Sequence, residues 1–430
     1  MNRSTIWISI IILAIITTAA TLLRPTETAS PKRLTPQQAP PTPISSHLDN
    51  SMSSFEQTKG FDREVESFMR RWEFKGASFA LMRNDSLLYA KGYGYANDTL
   101  KCNVNNCFRV ASISKLLTAT AIMKLIEQGR LSLDAQIFGE EGILNDSLFL
   151  DLYSMNHKLI TIEHLLRHTA GFSSPHGDPA FATHTIARII DRPLPLTIND
   201  MVYYATRTRL RTRPGDNYDY SNLGYIVLTK IIEERTAQSY ETYLQDSILA
   251  PIGCHGPYIG KSFREELGPN EVQYYEVKEA TEVEAYDGSG RMTMKSDGGN
   301  NIPLLSGAGG WVATPTELLR LVASINNEGA KEDLLTPETI KTMTYDSRHD
   351  KPIGWATVRR GEWLRSGSMA GTSALIKHQE DGYTWIFVVN NSAWIGPRIS
   401  NYISSHISRA IAKVKQWPER DLFTFEGEAL

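Results

Sequence analysis

At 430 residues the chain exceeds one small domain and suits a two-lobed body of about 350 residues with an N-terminal extension. Apolar residues make up 41% and charged residues 22%, an ordinary globular balance that excludes disordered and fibrous classes. With 45 basic against 48 acidic residues the net charge of -3 gives no long-range pull towards polyanions, which argues against nucleic-acid binding as a primary role.

The first element is an uncharged, mostly apolar run of 18 residues, Ile6 to Leu23, preceded by Arg3. Its length lies between a signal-peptide core and a short transmembrane anchor, so residues 1–23 are expected to direct export of the downstream chain, cleaved or uncleaved. A cysteine lipid anchor is excluded because no cysteine stands close behind the run. Residues 24–54 form a linker with six prolines among many Ser, Thr and Gln residues, a composition that favours extended chain over a core.

The folded body is expected over residues 55–416, with 417–430 as a C-terminal tail without a legible signal. Phe61, Val65, Phe68 and Met69 lie on one face of a helix. Two strands come next, Ala77 to Met82 and Ser86 to Gly94, joined at Asn84-Asp85, a pair suited to a hairpin turn. Cys102 and Cys107 are close enough to pair in an exported protein, although so short a loop would add little stability; Cys254 reads as a small buried apolar residue.

The middle of the chain is mostly helical, including Lys115 to Gln128 stopped at Gly129, Ile162 to Arg167, and Asn222 to Arg235. Strands return at Thr372 to Lys377 and Tyr383 to Val389 around Glu380-Asp381-Gly382, before a last helix from Arg398 to Lys415. Strands at both ends with helices between them predict an α+β fold. One antiparallel sheet is built from both ends of the chain, flanked by the terminal helices, with a mostly helical lobe inserted and a cleft between the lobes.

Chemistry concentrates in two segments. Phe108-Arg109-Val110-Ala111-Ser112-Ile113-Ser114-Lys115 holds S-x-x-K at a helix start, where residues three apart share a face and the helix N-terminus favours developing negative charge. A serine hydroxyl needs a group to take its proton, and a lysine partly neutralised by its surroundings can do so. About a hundred residues later stands Pro214-Gly215-Asp216-Asn217-Tyr218-Asp219-Tyr220-Ser221-Asn222-Leu223-Gly224-Tyr225.

This second segment resembles the P-G-x-x-x-x-Y-S-N-x-G-Y signature of class C β-lactamases and low-molecular-weight penicillin-binding proteins. Leu165-Leu166-Arg167-His168-Thr169-Ala170-Gly171 and Gly309-Gly310-Trp311-Val312-Ala313-Thr314 resemble further segments of that family in the same order, so the likeness covers roughly residues 60 to 415. It implies a β-lactamase/transpeptidase-like fold with Ser112 as acylated nucleophile. Lys115 and Tyr220 would be proton-moving groups, and Asn222 a donor to the substrate amide. His164 and His168, four apart but with no further ligand indicated, read as structural rather than metal-binding.

The family's K-T-G or H-x-G strand finds its counterpart in Leu364-Arg365-Ser366-Gly367-Ser368-Met369-Ala370-Gly371-Thr372. Arg365 departs from the usual Lys or His, and Ser366 from a frequent Thr. Arginine keeps the charge and can grip a carboxylate bidentately but does not release a proton near neutral pH. By resemblance, Arg365, Ser366, Gly367 and Ser368 form the substrate-binding strand, with the backbone N–H groups of Ser112 and Ser368 as oxyanion hole.

The implied reaction is acyl transfer without metal or organic cofactor, Tyr220 and Lys115 also activating the deacylating water. The expected partner is a small-molecule or peptide substrate: a peptidoglycan stem peptide, a β-lactam or an ester. The membrane would be met through the N-terminal segment. A D,D-peptidase or carboxypeptidase, a β-lactamase-type amide hydrolase, an esterase, and a non-catalytic peptidoglycan or β-lactam sensor share this scaffold, which alone does not choose among them.

Overall fold

Strict alternation in the sheet strands sorts their side chains between two cores. In β1 (Gly76–Arg83), Phe79 and Leu81 face one way and Ala80 and Met82 the other, all fully buried. Period-two side-chain direction requires this of a strand covered on both faces. β1 pairs with β2 (Ser86–Gly94) through a two-residue turn in which Asn84 and Asp85 both adopt positive φ, 47° and 61°. That geometry matches the twist of a hairpin and is tolerated by Asn and Asp.

The computed structural model describes residues 48–328, 333–347 and 351–424. The apolar segment 1–23 and the linker as far as residue 47 lie outside them. Among the described residues no helix is long and apolar enough to cross a membrane.

The remaining sheet strands come from the far end of the chain: β3 (Thr357–Arg359), β4 (Glu362–Met369), β5 (Thr372–His378) and β6 (Tyr383–Val389). The order is β2-β1-β6-β5-β4-β3, antiparallel throughout, with Phe79 opposite Phe387 where the two chain ends meet. One face carries α1 (Lys59–Trp72) and the C-terminal helix Ile399–Ala412, whose Phe61, Val65, Phe68, Ile403 and Ile407 pack on Phe79, Trp385 and Phe387. The other face meets the larger core of the inserted helices, including α2 (Ser114–Glu127), α3 (Ile162–Leu166) and α4 (Asn222–Thr236). The fold class expected from sequence, an antiparallel sheet from both chain ends with a helical insertion, is the one observed.

The body extends further at both ends than the expected 55–416. Leu48 and Ser53 are buried, and the Asn50 side chain exchanges hydrogen bonds with the backbone of Gly92 in β2. At the other end Trp417 packs edge-on against Phe61 and Tyr89, while Asp421 Oδ1 accepts from Leu87 N at 2.9 Å. Leu422 and Phe423 are buried as well. Residues 48–54 and 417–424 thus cover the edge strand β2, which would otherwise present unpaired backbone groups. Cys102, Cys107 and Cys254 are free and buried, and burial pushes the Cys102 and Cys107 thiols up to about 12. The short-loop pairing of Cys102 with Cys107 is not formed.

Candidate active site

Ser112 sits in a strained turn just ahead of α2. Phe108–Arg109 is pinned by pairing with Trp311–Ala313, and Val110 N donates to Trp311 O. Ala111 then takes φ of 48°, a left-handed conformation unfavourable for a residue with a β-carbon, before the helical turn Ala111–Ile113 leads into α2. Ser112 is half-buried at the helix entrance, and Lys115 in the first turn of α2 is fully buried.

The opposite side comes from the turn before α4. Ser221 caps that helix by accepting from Gly224 N at 3.1 Å, which leaves Tyr220 just outside and Asn222 as the first helical residue. Tyr220 OH lies 2.6 Å from Ser112 Oγ. Lys115 Nζ donates to Ser112 Oγ at 3.4 Å, to Asn222 Oδ1 at 2.6 Å and to Ala308 O at 2.5 Å. The hydroxyl, amine and phenol named from sequence therefore converge within hydrogen-bond reach, from segments 108 residues apart.

His168 supports this arrangement. Its ring packs at a tilt against Tyr220 and Tyr225 at centroid distances of 4.5 and 5.1 Å, and its Nδ1 accepts from Ser221 N at 3.2 Å. Burial, followed by the nearby Arg365 and Lys115 charges, holds the imidazole well below its ordinary pKa, so it is neutral. His164 is used elsewhere: its Nδ1 accepts from Thr161 N as part of the cap of α3.

The third wall is β4. A β-carbon at position 367 would lie 2.3 Å from Val110 O and 2.9 Å from Ser112 N, so only glycine lets this strand run against the serine turn. Arg365 points to the same side, 2% exposed, with Nε donating to Ser112 O at 2.7 Å. Arg365 lines the groove while one edge of its guanidinium is spent on the backbone of the serine turn. Ser366 and Ser368 alternate to the other face of the strand and line the groove beside Pro397.

These residues surround a cavity of about 370 Å³ lined by Ser112, Tyr220, Asn222, Arg365, Ser366 and Ser368, with Phe181, Tyr218 and Met369 contributing apolar and aromatic wall. Gly367 lies behind it as buried backbone. A larger open depression of about 810 Å³ at the opposite end of β4, between Arg359, Glu362 and Asp381, holds no nucleophile. Among the described residues no group of three or more His, Cys, Asp and Glu side chains is arranged to hold a metal ion.

The electrostatics suit proton removal. Burial drives the Lys115 ammonium down to about 8; Tyr220 opposes that shift, Arg365 reinforces it, and Asp178 opposes it. Burial also raises the Tyr220 phenol, but Lys115 and Arg365 outweigh it, and the phenol ends below its ordinary value. Tyr220 as a residue is 41% exposed while its hydroxyl is in contact with the serine. Asp178 carried no signal in the sequence, yet its Oδ2 accepts from Asn222 Nδ2 at 2.6 Å.

A buried lysine and a cation-flanked phenol on either side of an S-x-x-K serine, at the meeting of an antiparallel sheet and a helical lobe, define a serine hydrolase of β-lactamase-like architecture. The chain belongs to the β-lactamase family, whose model, described as Beta-lactamase, matches residues 61–402. Among curated proteins it is 29% identical over 197 residues to Protein flp of Staphylococcus aureus strain N315, covering 44% of this chain and 36% of that one. The chain therefore spans about a third of that relative's length.

Among solved structures it resembles the octameric penicillin-binding protein homologue from Pyrococcus abyssi, with TM-score 0.61, 23% identity and coverage of 83% and 78% of the two chains. It also resembles the D-amino acid amidase of Ochrobactrum anthropi SV3, with TM-score 0.66, 19% identity and coverage of 84% and 100%. At these identities the two structural likenesses show the fold.

Proposed function

We propose that Ser112 is the nucleophile of an acyl-transfer reaction in which Tyr220 and Lys115 move the protons. The observation that carries this reading is the 2.6 Å contact between the Ser112 and Tyr220 hydroxyls, with Lys115 Nζ beside them. The Ser112 proton passes to the Tyr220–Lys115 pair as the serine oxygen bonds to a carbonyl carbon. The bond to the leaving amine or alcohol breaks as the leaving group takes that proton, and water then attacks the acyl-enzyme by the reverse route. The backbone N–H groups of Ser112 and Ser368 are the proposed oxyanion hole.

Within this class we favour an amide hydrolase of the penicillin-binding kind, a D,D-peptidase or carboxypeptidase or a β-lactamase-type enzyme. Asn222 lines the groove with an amide N–H suited to a substrate carbonyl, and Arg365 brings a positive charge to the wall. An esterase is the second reading, favoured by the burial of Arg365 and its bond to Ser112 O, which leave less of the guanidinium for a substrate carboxylate. The apolar run Ile6 to Leu23 supports an exported, membrane-tethered location, tested by fractionating cells that express the full chain and its 1–23 deletion.

The deciding experiment is a panel of a D-Ala-D-Ala peptide, a fluorescent penicillin and short p-nitrophenyl esters, run with wild type and Ser112→Ala. Turnover or labelling lost in Ser112→Ala supports the reading. An unaltered rate in that variant refutes it by placing catalysis elsewhere, whereas no turnover together with no adduct on Ser112 from an activated serine phosphonate refutes it and leaves the non-catalytic sensor.

A further inference from the structure

The side chain that joins the two catalytic segments is itself held by a third segment. The Asn222 amide is 7% exposed and has a charged partner on each side: Lys115 Nζ donates to Oδ1 at 2.6 Å, and Nδ2 donates to Asp178 Oδ2 at 2.6 Å. An ammonium only donates and a carboxylate only accepts. Rotating the amide by half a turn would set donor against donor and acceptor against acceptor, so the two partners fix its orientation.

Asp178 is well placed to impose this. Its Oδ1 accepts from Ala180 N at 3.0 Å and its backbone oxygen accepts from Phe181 N and Ala182 N, so the carboxylate belongs to a closed turn. The same turn sets Phe181 in the groove wall. Asn222 Nδ2 carries two hydrogens; Asp178 takes one, and among the described residues no other acceptor for Nδ2 is found. With Oδ1 occupied by Lys115, what Asn222 retains for a ligand is a donor.

We propose that Asp178 is a positioning residue that locks the Asn222 amide so that it offers a substrate an N–H donor, selecting acyl groups that carry a second carbonyl oxygen, and that it sets a negative charge across that amide from Lys115. The proposal rests on the reading of Ser112 as nucleophile. The titratable and charged groups that face Lys115 are the Tyr220 phenol, the Arg365 cation, the Asp178 carboxylate, the neutral His168 and the Tyr225 phenol, whose ring lies 5.4 Å away. Of these, Asp178 and Tyr220 hold the proton on Lys115, against burial and Arg365.

Two variants separate the two effects. Asp178→Asn keeps an acceptor for Asn222 and removes the charge, whereas Asp178→Ala removes the acceptor as well. The full chain is treated with an alkyl fluorophosphonate, and the rate of Ser112 modification is followed by intact mass across pH values bracketing the Lys115 value of about 8. Loss of the carboxylate lowers the proton affinity of the Lys115–Tyr220 pair, so in Asp178→Asn the rising limb moves to lower pH, by about half a unit or more.

The second readout is the kcat/KM ratio between the p-nitrophenyl ester of N-acetyl-D-alanine, which carries a second carbonyl, and p-nitrophenyl acetate, which does not. In Asp178→Ala this ratio falls roughly tenfold, the value of one hydrogen bond to a held donor. A limb that stays in place, or a ratio that stays constant while only the melting temperature falls, overturns the proposal and leaves Asp178 a structural turn residue. Absence of label on wild-type Ser112 would instead remove the nucleophile reading itself.

Discussion

The Tyr220 hydroxyl stands nearer to the Ser112 oxygen than the Lys115 amine does, 2.6 Å against 3.4 Å. On that ranking the proposed mechanism has the phenol as direct proton acceptor, with the lysine acting largely through it. Tyr220→Phe keeps the ring on His168 and removes only the oxygen, so kcat is expected to fall about a hundredfold to ten-thousandfold, with KM changed far less. Steady-state kinetics on p-nitrophenyl acetate check this, and Ser112→Ala should be flat on the same assay.

The pH dependence stems from the shared proton. In the proposed mechanism the active form has lost one proton from the Lys115–Tyr220 pair, and burial brings the lysine to about 8, so kcat/KM is expected to rise with pH through a limb near that value. Lys115→Gln removes the charge that most strongly lowers the phenol, and Tyr220 then titrates higher. The limb should therefore move to more alkaline pH in Lys115→Gln; a limb moving towards acid would show that the phenol does not carry the titration.

Gly367→Ala tests how closely β4 runs against the serine turn. Its β-carbon would meet Val110 O at 2.3 Å, and backbone rather than a flexible side chain stands in the way. Either the strand or the turn at Ala111 has to move, at a stability cost of about 1–3 kcal/mol. The melting temperature should drop, and Ser112 labelling by a fluorophosphonate should drop more than the unfolded fraction explains.

Much of the fold and site is legible in the sequence, for identifiable reasons. The helix from Lys115, the hairpin at Asn84-Asp85 and the strands around Glu380 to Gly382 rest on local periodicity and turn chemistry, and their observed bounds differ by only a few residues. The serine, lysine and tyrosine are legible because helix spacing and a twelve-residue signature carry them. Asp178 is not, since it is one acid in a polar loop 44 residues from its partner and no periodic pattern marks it. Nor is the role of residues 417–424, where a few apolar side chains and one aspartate cover an edge strand more than 320 residues earlier.

Those same residues give a stability prediction. Ending the chain after residue 416 removes the Trp417 contacts with Phe61 and Tyr89 and the Asp421 acceptor for Leu87 N. It also uncovers apolar surface now under Leu422 and Phe423. Trp417→Ala alone is expected to cost about 3–5 kcal/mol, by the usual penalty for emptying a large buried aromatic site. Thermal unfolding of both variants checks the effect, which should appear without a change in the pH limb of the activity.

Arg365 decides between two accounts of substrate choice. Its Nε holds Ser112 O at 2.7 Å, while its Nη2 is buried without a protein hydrogen-bond partner among the described residues. A guanidinium so placed braces the serine turn and lowers the neighbouring phenol. Removing it leaves the Ser112 carbonyl short of a charged donor, a loss of about 1.5–3 kcal/mol. If bracing is its main work, Arg365→Ala lowers kcat/KM by a similar factor, about tenfold or more, for a neutral ester and for a D-Ala-D-Ala peptide with a free carboxylate. If Nη2 swings out to meet a carboxylate, the peptide loses far more than the ester. The ratio of the two losses, measured in one variant, separates positioning from recognition, because damage to the turn strikes both substrates and cancels.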